Sequence, residues 1–590
     1  MSVPTQNSAA HRDYMDLASF ACGINSEWTE PLAQLLEAAA RGCGQLKLKE
    51  LKLTKEHKNP PEHLLVVRDD LAMLPKTASA WMTLRDYFVE ALNQKVSYFP
   101  NAKVKKGLNE ILKFKEEGEY FNNGAQRRAI AALVDAKVGV LTGGPGTGKT
   151  TTVAALLALL YRCSPELTVS DIVICAPTGK AANRLRQSLF RAAQYLPLQP
   201  NEKKCLEDLV PSTIHRALKW NRRAPEDGGP FKYGRNHPLP QRFVLVDEVS
   251  MVDITLMSQL VEALAPEAQL ILLGDADQLD SVEAGGVLAE LVHRGAARPS
   301  AEDTKRIQAR CEEADPKYFR EGLPEYKGKD GLPGLSWGLV HSYRAKSAPW
   351  ILDLAKKCRP GQSVKAEEFL ATCEYWTRGL GSKLSGDSAP QQNPLMPVTS
   401  RIILLEQPQE FYEYCKQAWH KLLEASAAWT YLKPPSGEDM EKALGEFQLL
   451  CATNYQVNKA NRLATAVHGQ GELYHGFPIV VEENRLDLGI VNGDVGIALG
   501  LGGRQRALVV SFPGLDQPLP ISHLPQYSLA FAMTIHKSQG SEWKTVAIDI
   551  PNEASELLEP RLLYTAVTRA SRSLVLHAPK KGLEAMLKEG

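Results

Sequence analysis

Leu141-Thr-Gly-Gly-Pro-Gly-Thr-Gly-Lys-Thr150 fits the pattern G-x-x-x-x-G-K-[ST] from Gly143 to Thr150. A short apolar run, Val138 to Leu141, precedes it, and a helix-forming stretch, Thr151-Thr-Val-Ala-Ala-Leu-Leu-Ala-Leu-Leu160, follows. Strand, glycine-rich loop and helix in that order are what a phosphate-binding loop needs. Glycines let backbone N–H groups turn inward around phosphate oxygens, and the helix N-terminus adds partial positive charge. Gly143, Gly144, Pro145, Gly146, Thr147 and Gly148 are therefore expected to cradle a nucleoside triphosphate, with Thr151 opening the helix behind them. Lys149 is placed to reach the β- and γ-phosphates, and the Thr150 hydroxyl to hold Mg²⁺.

Outward from the loop, short apolar runs alternate with helical stretches: Ile172–Ala176, Phe243–Val246 and Leu270–Leu273 follow Val138–Leu141. Such continuous apolar strands suit a parallel sheet buried on both faces, with sites at the carboxyl ends of its strands. At one such end stands Asp247-Glu248. Asp247 is expected to bind Mg²⁺ and Glu248 to polarise the attacking water. At another lies Gly274-Asp275-Ala-Asp277-Gln278, where Gln278 is expected to sense the γ-phosphate. A second α/β pattern occupies the C-terminal half: Ile402–Leu405, Phe447–Ala452, Leu529–Met533, Val546–Ile550 and Leu574–Leu576. Within it, residues 470–526 are β-rich, with Asn-Gly and Gly-Gly turns, and predict a small inserted barrel.

The fold class is thus α/β, with two parallel-sheet domains. A mainly helical N-terminal domain spans 1–110, the first α/β domain 111–335 with an insert near 220–241, and the second 336–590. The 220–241 insert is rich in Gly, Pro and Arg and reads as a loop or hairpin. Residues 295–338 read as a polar connector. The lysines of Lys47–Lys55 read as a solvated face.

Composition bounds the rest. With 590 residues, 44% hydrophobic and 23% charged, the chain has room for several cores. Its net charge of +1 gives no global attraction to nucleic acid or membrane, so any nucleic-acid site is a local groove. The ten cysteines include no C-x-x-C spacing and read as reduced core residues, for example Cys175 and Cys451. No apolar run approaches the roughly 18 residues of a membrane span, and no secretory leader is evident, so a cytoplasmic setting without membrane contact is expected.

The ordered motifs resemble superfamily 1 helicases, and within them the RecD subunits of RecBCD-type helicase-nucleases. Asn123-Gly-Ala-Gln126 resembles the adenine-reading motif, which assigns that role to Gln126. Ala176-Pro-Thr-Gly-Lys-Ala-Ala-Asn-Arg-Leu185 and Ser212-Thr-Ile-His-Arg-Ala-Leu218 resemble the DNA-contacting motifs Ia and Ib. Asp247–Asp253 resembles motif II, Gly274–Gly285 motif III and His341-Ser-Tyr-Arg344 motif IV. Thr534-Ile-His-Lys-Ser-Gln-Gly-Ser-Glu-Trp543 resembles motif V, and Tyr564-Thr-Ala-Val-Thr-Arg-Ala570 motif VI. Asp280 stands where many relatives carry Pro.

The resemblance implies two RecA-like motor domains with an SH3-like barrel in the second, using ATP and Mg²⁺. It implies that Arg344 and Arg569, from the second domain, stabilise charge on the γ-phosphate. It implies that Thr178, His215, Thr534 and His536 contact single-stranded DNA. The implied activity is 5′→3′ unwinding from duplex ends in double-strand-break repair. The implied partners are RecB-like and RecC-like subunits, with the N-terminal region docking on the latter. A free-standing helicase and a non-translocating ATP switch are the alternatives. No Asp/Glu/Lys cluster outside these motifs suggests a nuclease.

Overall fold

The computed structural model describes residues 18, 29–40, 46–47, 51, 66–68, 71–94, 98–113, 115–116, 119–120, 124–220, 230–280, 286–311, 315–328, 331–342, 348–360, 362, 364–382, 401–466, 473–501, 506–552 and 558–588. They fall into two compact units. One holds Met1–Ala276 with Asp280–His341; the other holds Asp277–Leu279 with Ser342–Gly590.

Among the described residues, the first complete helix of the first unit is Thr29–Ala40. A small antiparallel sheet follows: β1 (Leu46–Lys47), β2 (Val66–Arg68) and β3 (Leu71–Met73), in the order β1-β3-β2. β4 (Lys115–Glu116) and β5 (Glu119–Tyr120) pair as a short ribbon. The N-terminal region is therefore helical and stranded together.

The main sheet of this unit comprises β6 (Val138–Gly143), β7 (Ile172–Ala176), β8 (Ser212–Thr213), β9 (Phe243–Val246), β10 (Gln269–Gly274) and β11 (Ser336–Leu339). All pairings are parallel, in the order β11-β6-β10-β9-β7-β8. β10 is buried at every position, as its unbroken Leu-Ile-Leu-Leu run requires of a central strand covered on both faces.

Two expectations change here. The helix Pro75–Asn93, on the N-terminal side of the expected boundary near 110, buries Ala80, Leu84, Phe88 and Ala91 in one core with Val138, Val140 and Leu272 of the sheet. Likewise residues 295–338 are no plain connector. They supply the helix Ala301–Arg310 and the edge strand β11. Ser336-Trp-Gly-Leu339 lacks a β-branched run, so nothing local announced a strand.

The second unit contains β12 (Arg401–Leu404), β13 (Phe447–Cys451), β19 (Ala532–Thr534), β20 (Trp543–Asp549) and β21 (Ala570–His577). They form a parallel sheet in the order β12-β21-β20-β13-β19. Between β13 and β19 the chain inserts a five-stranded antiparallel sheet, ordered β17-β16-β15-β14-β18. Its strands are β14 (Pro478–Val481), β15 (Val495–Leu499), β16 (Val509–Ser511), β17 (Leu519–Pro520) and β18 (Tyr527–Leu529). The overall class is α/β with two parallel sheets. Among the described residues no helix is long and apolar enough to cross a membrane.

Candidate functional site

In the first unit, β6, β10 and β9 are neighbours, so their carboxyl ends share one sheet edge. The phosphate loop leaves β6, Gly274 closes β10, and Asp247 follows β9. The sequence spreads these residues far apart; parallel register gathers them.

The loop folds as it does because Gly146 and Gly148 take positive φ, 70° and 81°, which side chains resist. Gly148 caps the helix Lys149–Cys163 without any side-chain cap, so its first N–H groups remain directed at an incoming anion. Thr147 Oγ1 donates to the Gly144 carbonyl at 2.8 Å and braces the turn. Gln126 Nε2 donates to the Thr147 carbonyl at 3.3 Å, tying the buried Gln126 to the loop. Lys149 Nζ donates to the carbonyls of Gly143 and Gly144 at 2.5 and 3.3 Å. Its ammonium thus rests over the hollow of the loop. Thr151 Oγ1 and the Tyr195 hydroxyl share a 2.9 Å hydrogen bond.

Asp247 N donates to the Cys175 carbonyl at 2.9 Å, which anchors the Asp-Glu pair to the strand end. Burial of the Asp247 carboxylate, and after it the Glu248 charge, push its pKa up to about 6. The Glu248 N–H bonded to Asp247 Oδ1 at 2.9 Å, with Lys149 and Arg184 nearby, pull the other way. Glu248 itself has φ +53°, a left-handed conformation that strains a residue with a Cβ. Arg184, on the helix Gly179–Tyr195, was not singled out from the sequence, although it lies within the quoted stretch Ala176–Leu185. Asp275 is buried in this unit.

Gln278 is buried too, but Asp277–Leu279 group with the second unit. There Leu279 N donates to Thr565 Oγ1 at 3.0 Å, and the Leu279 carbonyl accepts from Gln539 Nε2 at 3.1 Å. Arg569 is buried, its Nε donating to the Thr565 carbonyl and its Nη1 to the Ser541 carbonyl. Arg344 lies outside the described residues.

The expected DNA-contacting residues divide. Thr178 caps the helix Gly179–Tyr195, accepting from Ala181 N at 3.2 Å, which gives it a structural task. His215 is exposed on the helical turn after β8. Thr534 closes β19 and accepts from Lys537 N at 3.3 Å. His536 follows it, and burial pushes its imidazole below the usual range.

Comparison with known proteins agrees with this arrangement. Residues 126–284 match the AAA domain family, and residues 529–577 the UvrD-like helicase C-terminal domain. With a phosphate loop and Asp-Glu pair on one parallel sheet and the UvrD-like region on another, the class is that of ATP-dependent DNA helicases of superfamily 1. The RecBCD enzyme subunit RecD of Mycobacterium tuberculosis is 34% identical over 465 residues, 76% of this chain and 68% of that protein. That of Haemophilus influenzae is 30% identical over 482 residues, covering 77% and 69%. The chain belongs to the RecD family. The ATP-dependent RecD2 DNA helicase of Deinococcus radiodurans is 28% identical over 447 residues, 75% of this chain and 47% of that one. A Bacteroides Pif1 helicase structure aligns over 78% of this chain and 94% of its own at 16% identity, with a TM-score of 0.40.

Proposed function

We propose that this chain is the 5′→3′ translocating subunit of a RecBCD-type complex, working at DNA ends with RecB-like and RecC-like partners in double-strand-break repair in the cytoplasm. Membership of the RecD family carries the proposal, and the intact phosphate loop with its Asp247-Glu248 pair supports turnover over a passive switch.

ATP is proposed to enter with its adenine toward Gln126 and its phosphates on the loop Gly143–Thr151. Lys149 would exchange the loop carbonyls for β- and γ-phosphate oxygens, so that its desolvation is compensated in both states. Glu248 would align and deprotonate the attacking water, with Gln278 sensing the γ-phosphate. Arg344 and Arg569 are assigned to the charge that develops on it.

The residues fit a Mg²⁺ ion. Among the described residues no cluster of three or more His, Cys, Asp or Glu forms a dedicated metal cage. Thr150 and Asp247 beside a nucleotide match the sparse protein ligation that Mg²⁺ accepts, since phosphates and water complete its shell. Burial, and after it the Glu248 charge, raise the Asp247 pKa, an environment a divalent cation relieves. Thr150 and Asp247 would hold the ion, which when bound would supply positive charge against the phosphate oxygens.

The remaining assignments are proposed likewise: both parallel-sheet domains are RecA-like motors, the antiparallel insert is SH3-like, and Thr178, His215, Thr534 and His536 line the strand. DNA-stimulated ATP hydrolysis by the purified chain tests the reading. Stimulation by single-stranded DNA, absent from Lys149→Ala, is expected; ATP binding without stimulated turnover favours the switch alternative.

A further inference from the structure

A firmly held surface ribbon lies in the first unit, where the chain leaves and rejoins the 220–241 insert. Trp220 bridges Phe231 in antiparallel fashion. Lys232 N donates to the Lys219 carbonyl and Tyr233 N to the Leu218 carbonyl, each at 3.2 Å. Leu218 beneath is fully buried, and Phe231 and Tyr233 pack on the same core, so the foot of the insert is held firmly. Trp220 nevertheless leaves 51% of its surface in water. A half-exposed Trp on a rigid ribbon is unusual, because its indole normally contributes most when covered.

The surroundings are cationic. From His215 to His237 the chain has six Lys or Arg and two acidic residues, against +1 for the whole protein. Arg216, Lys219 and Lys232 are exposed. The Lys219 ammonium stands 5.4 Å and that of Lys232 5.8 Å from the Tyr233 ring centre, and along the ribbon the two lysines flank the Trp220–Phe231 pair. Arg235 is engaged by Glu262 at 2.8 Å.

Lys219 also has φ +54°; among the described residues the only other non-glycine at positive φ is Glu248 of the nucleotide site. Such a conformation is unfavourable for a residue with a Cβ and persists where surrounding structure imposes it. Here it turns the chain so that Trp220 faces outward while its N–H still reaches the His215 carbonyl at 2.9 Å.

We propose that Trp220 is a base-stacking platform for single-stranded DNA, with Arg216, Lys219 and Lys232 holding the flanking phosphates. An aromatic face accepts any base, and cations on either side track the backbone, so the contact is strong without being sequence-specific. The proposal rests on the helicase reading and adds a residue outside the motifs. A hydrophobic protein partner fits worse, since the indole stands among cations.

Two experiments on the full chain test it. Anisotropy of a labelled oligodeoxythymidylate should show Trp220→Ala binding about 5- to 100-fold more weakly, with Trp220→Phe recovering most of the loss. Photo-crosslinking to an oligonucleotide carrying 5-iododeoxyuridine should map to Trp220 in the unaltered protein. Unaltered protein that binds and shows DNA-stimulated ATP hydrolysis, with Trp220→Ala within about twofold of it and no crosslink at Trp220, overturns the platform alone. Absence of DNA binding and of stimulation in the unaltered protein overturns the helicase reading, and the platform with it.

Discussion

At the residue scale, the nucleotide site separates what chain order reveals from what only folding reveals. Lys149, Thr150, Asp247 and Glu248 can be read as candidates because they stand in contiguous motifs. The strain at Glu248, the nearness of Arg184 to Asp247 and the resting contacts of Lys149 were not, since they arise between strands distant in sequence. Lys149→Ala is expected to lower ATP turnover by about 10²–10³-fold or more while circular dichroism stays unchanged. Glu248→Gln should retain nucleotide affinity but lose about 10²–10⁴-fold in hydrolysis, measured in single-turnover conditions. Comparable loss of affinity would argue that Glu248 binds the nucleotide and leaves the water alone. Burial holds the His536 imidazole below its usual range, so at neutral pH it carries no charge. If it touches DNA it does so as a neutral hydrogen-bonding group. His536→Asn should therefore leave the salt dependence of DNA binding unaltered, whereas Lys219→Ala should reduce the slope by about one ion.

At the scale of elements, helices and strands with strong periodicity were readable and their neighbours were not. The runs Ile172–Ala176 and Phe243–Val246 are strands over those same residues. The helix Ala301–Arg310 is mostly polar: Ser300 caps its start, and the buried Arg310 anchors its end. Arg310 is wholly enclosed and pairs with Asp135 through both nitrogens, at 2.6 and 3.0 Å. It also donates to the carbonyls of Ala131 and Phe99 and to Asn101. No local pattern announces a partner so distant in the chain. Arg310→Ala would strand the buried Asp135 carboxylate and should reduce unfolding free energy by about 3–5 kcal/mol, visible in denaturant melts. A change below about 1 kcal/mol would mean that water replaces the guanidinium. Thr178 illustrates the opposite lesson: a residue read for DNA contact also caps a helix. Thr178→Ala should cost about 1 kcal/mol of stability whatever it does to DNA binding, and Thr178→Ser should restore it.

At the scale of the whole molecule, the sequence shows two α/β patterns in order, and the structure has two units each built on one parallel sheet. The boundaries moved for physical reasons. Pro75–Asn93 covers apolar sheet residues that would otherwise face water, and β11 completes an edge the first sheet lacks. The Asp277–Leu279 stretch joins the second unit through Thr565 and Gln539, a link that chain order conceals. Polarity of movement has no counterpart in any spacing or distance within either unit; it comes from family membership. Unwinding of matched duplexes carrying a 5′ or a 3′ single-stranded tail, with ATP and Mg²⁺, is therefore the most direct test. The account predicts that the 5′-tailed duplex is separated, the 3′-tailed one is not, and Lys149→Ala separates neither. Separation of the 3′-tailed duplex alone, or of neither by a chain that still hydrolyses ATP on DNA, would contradict it.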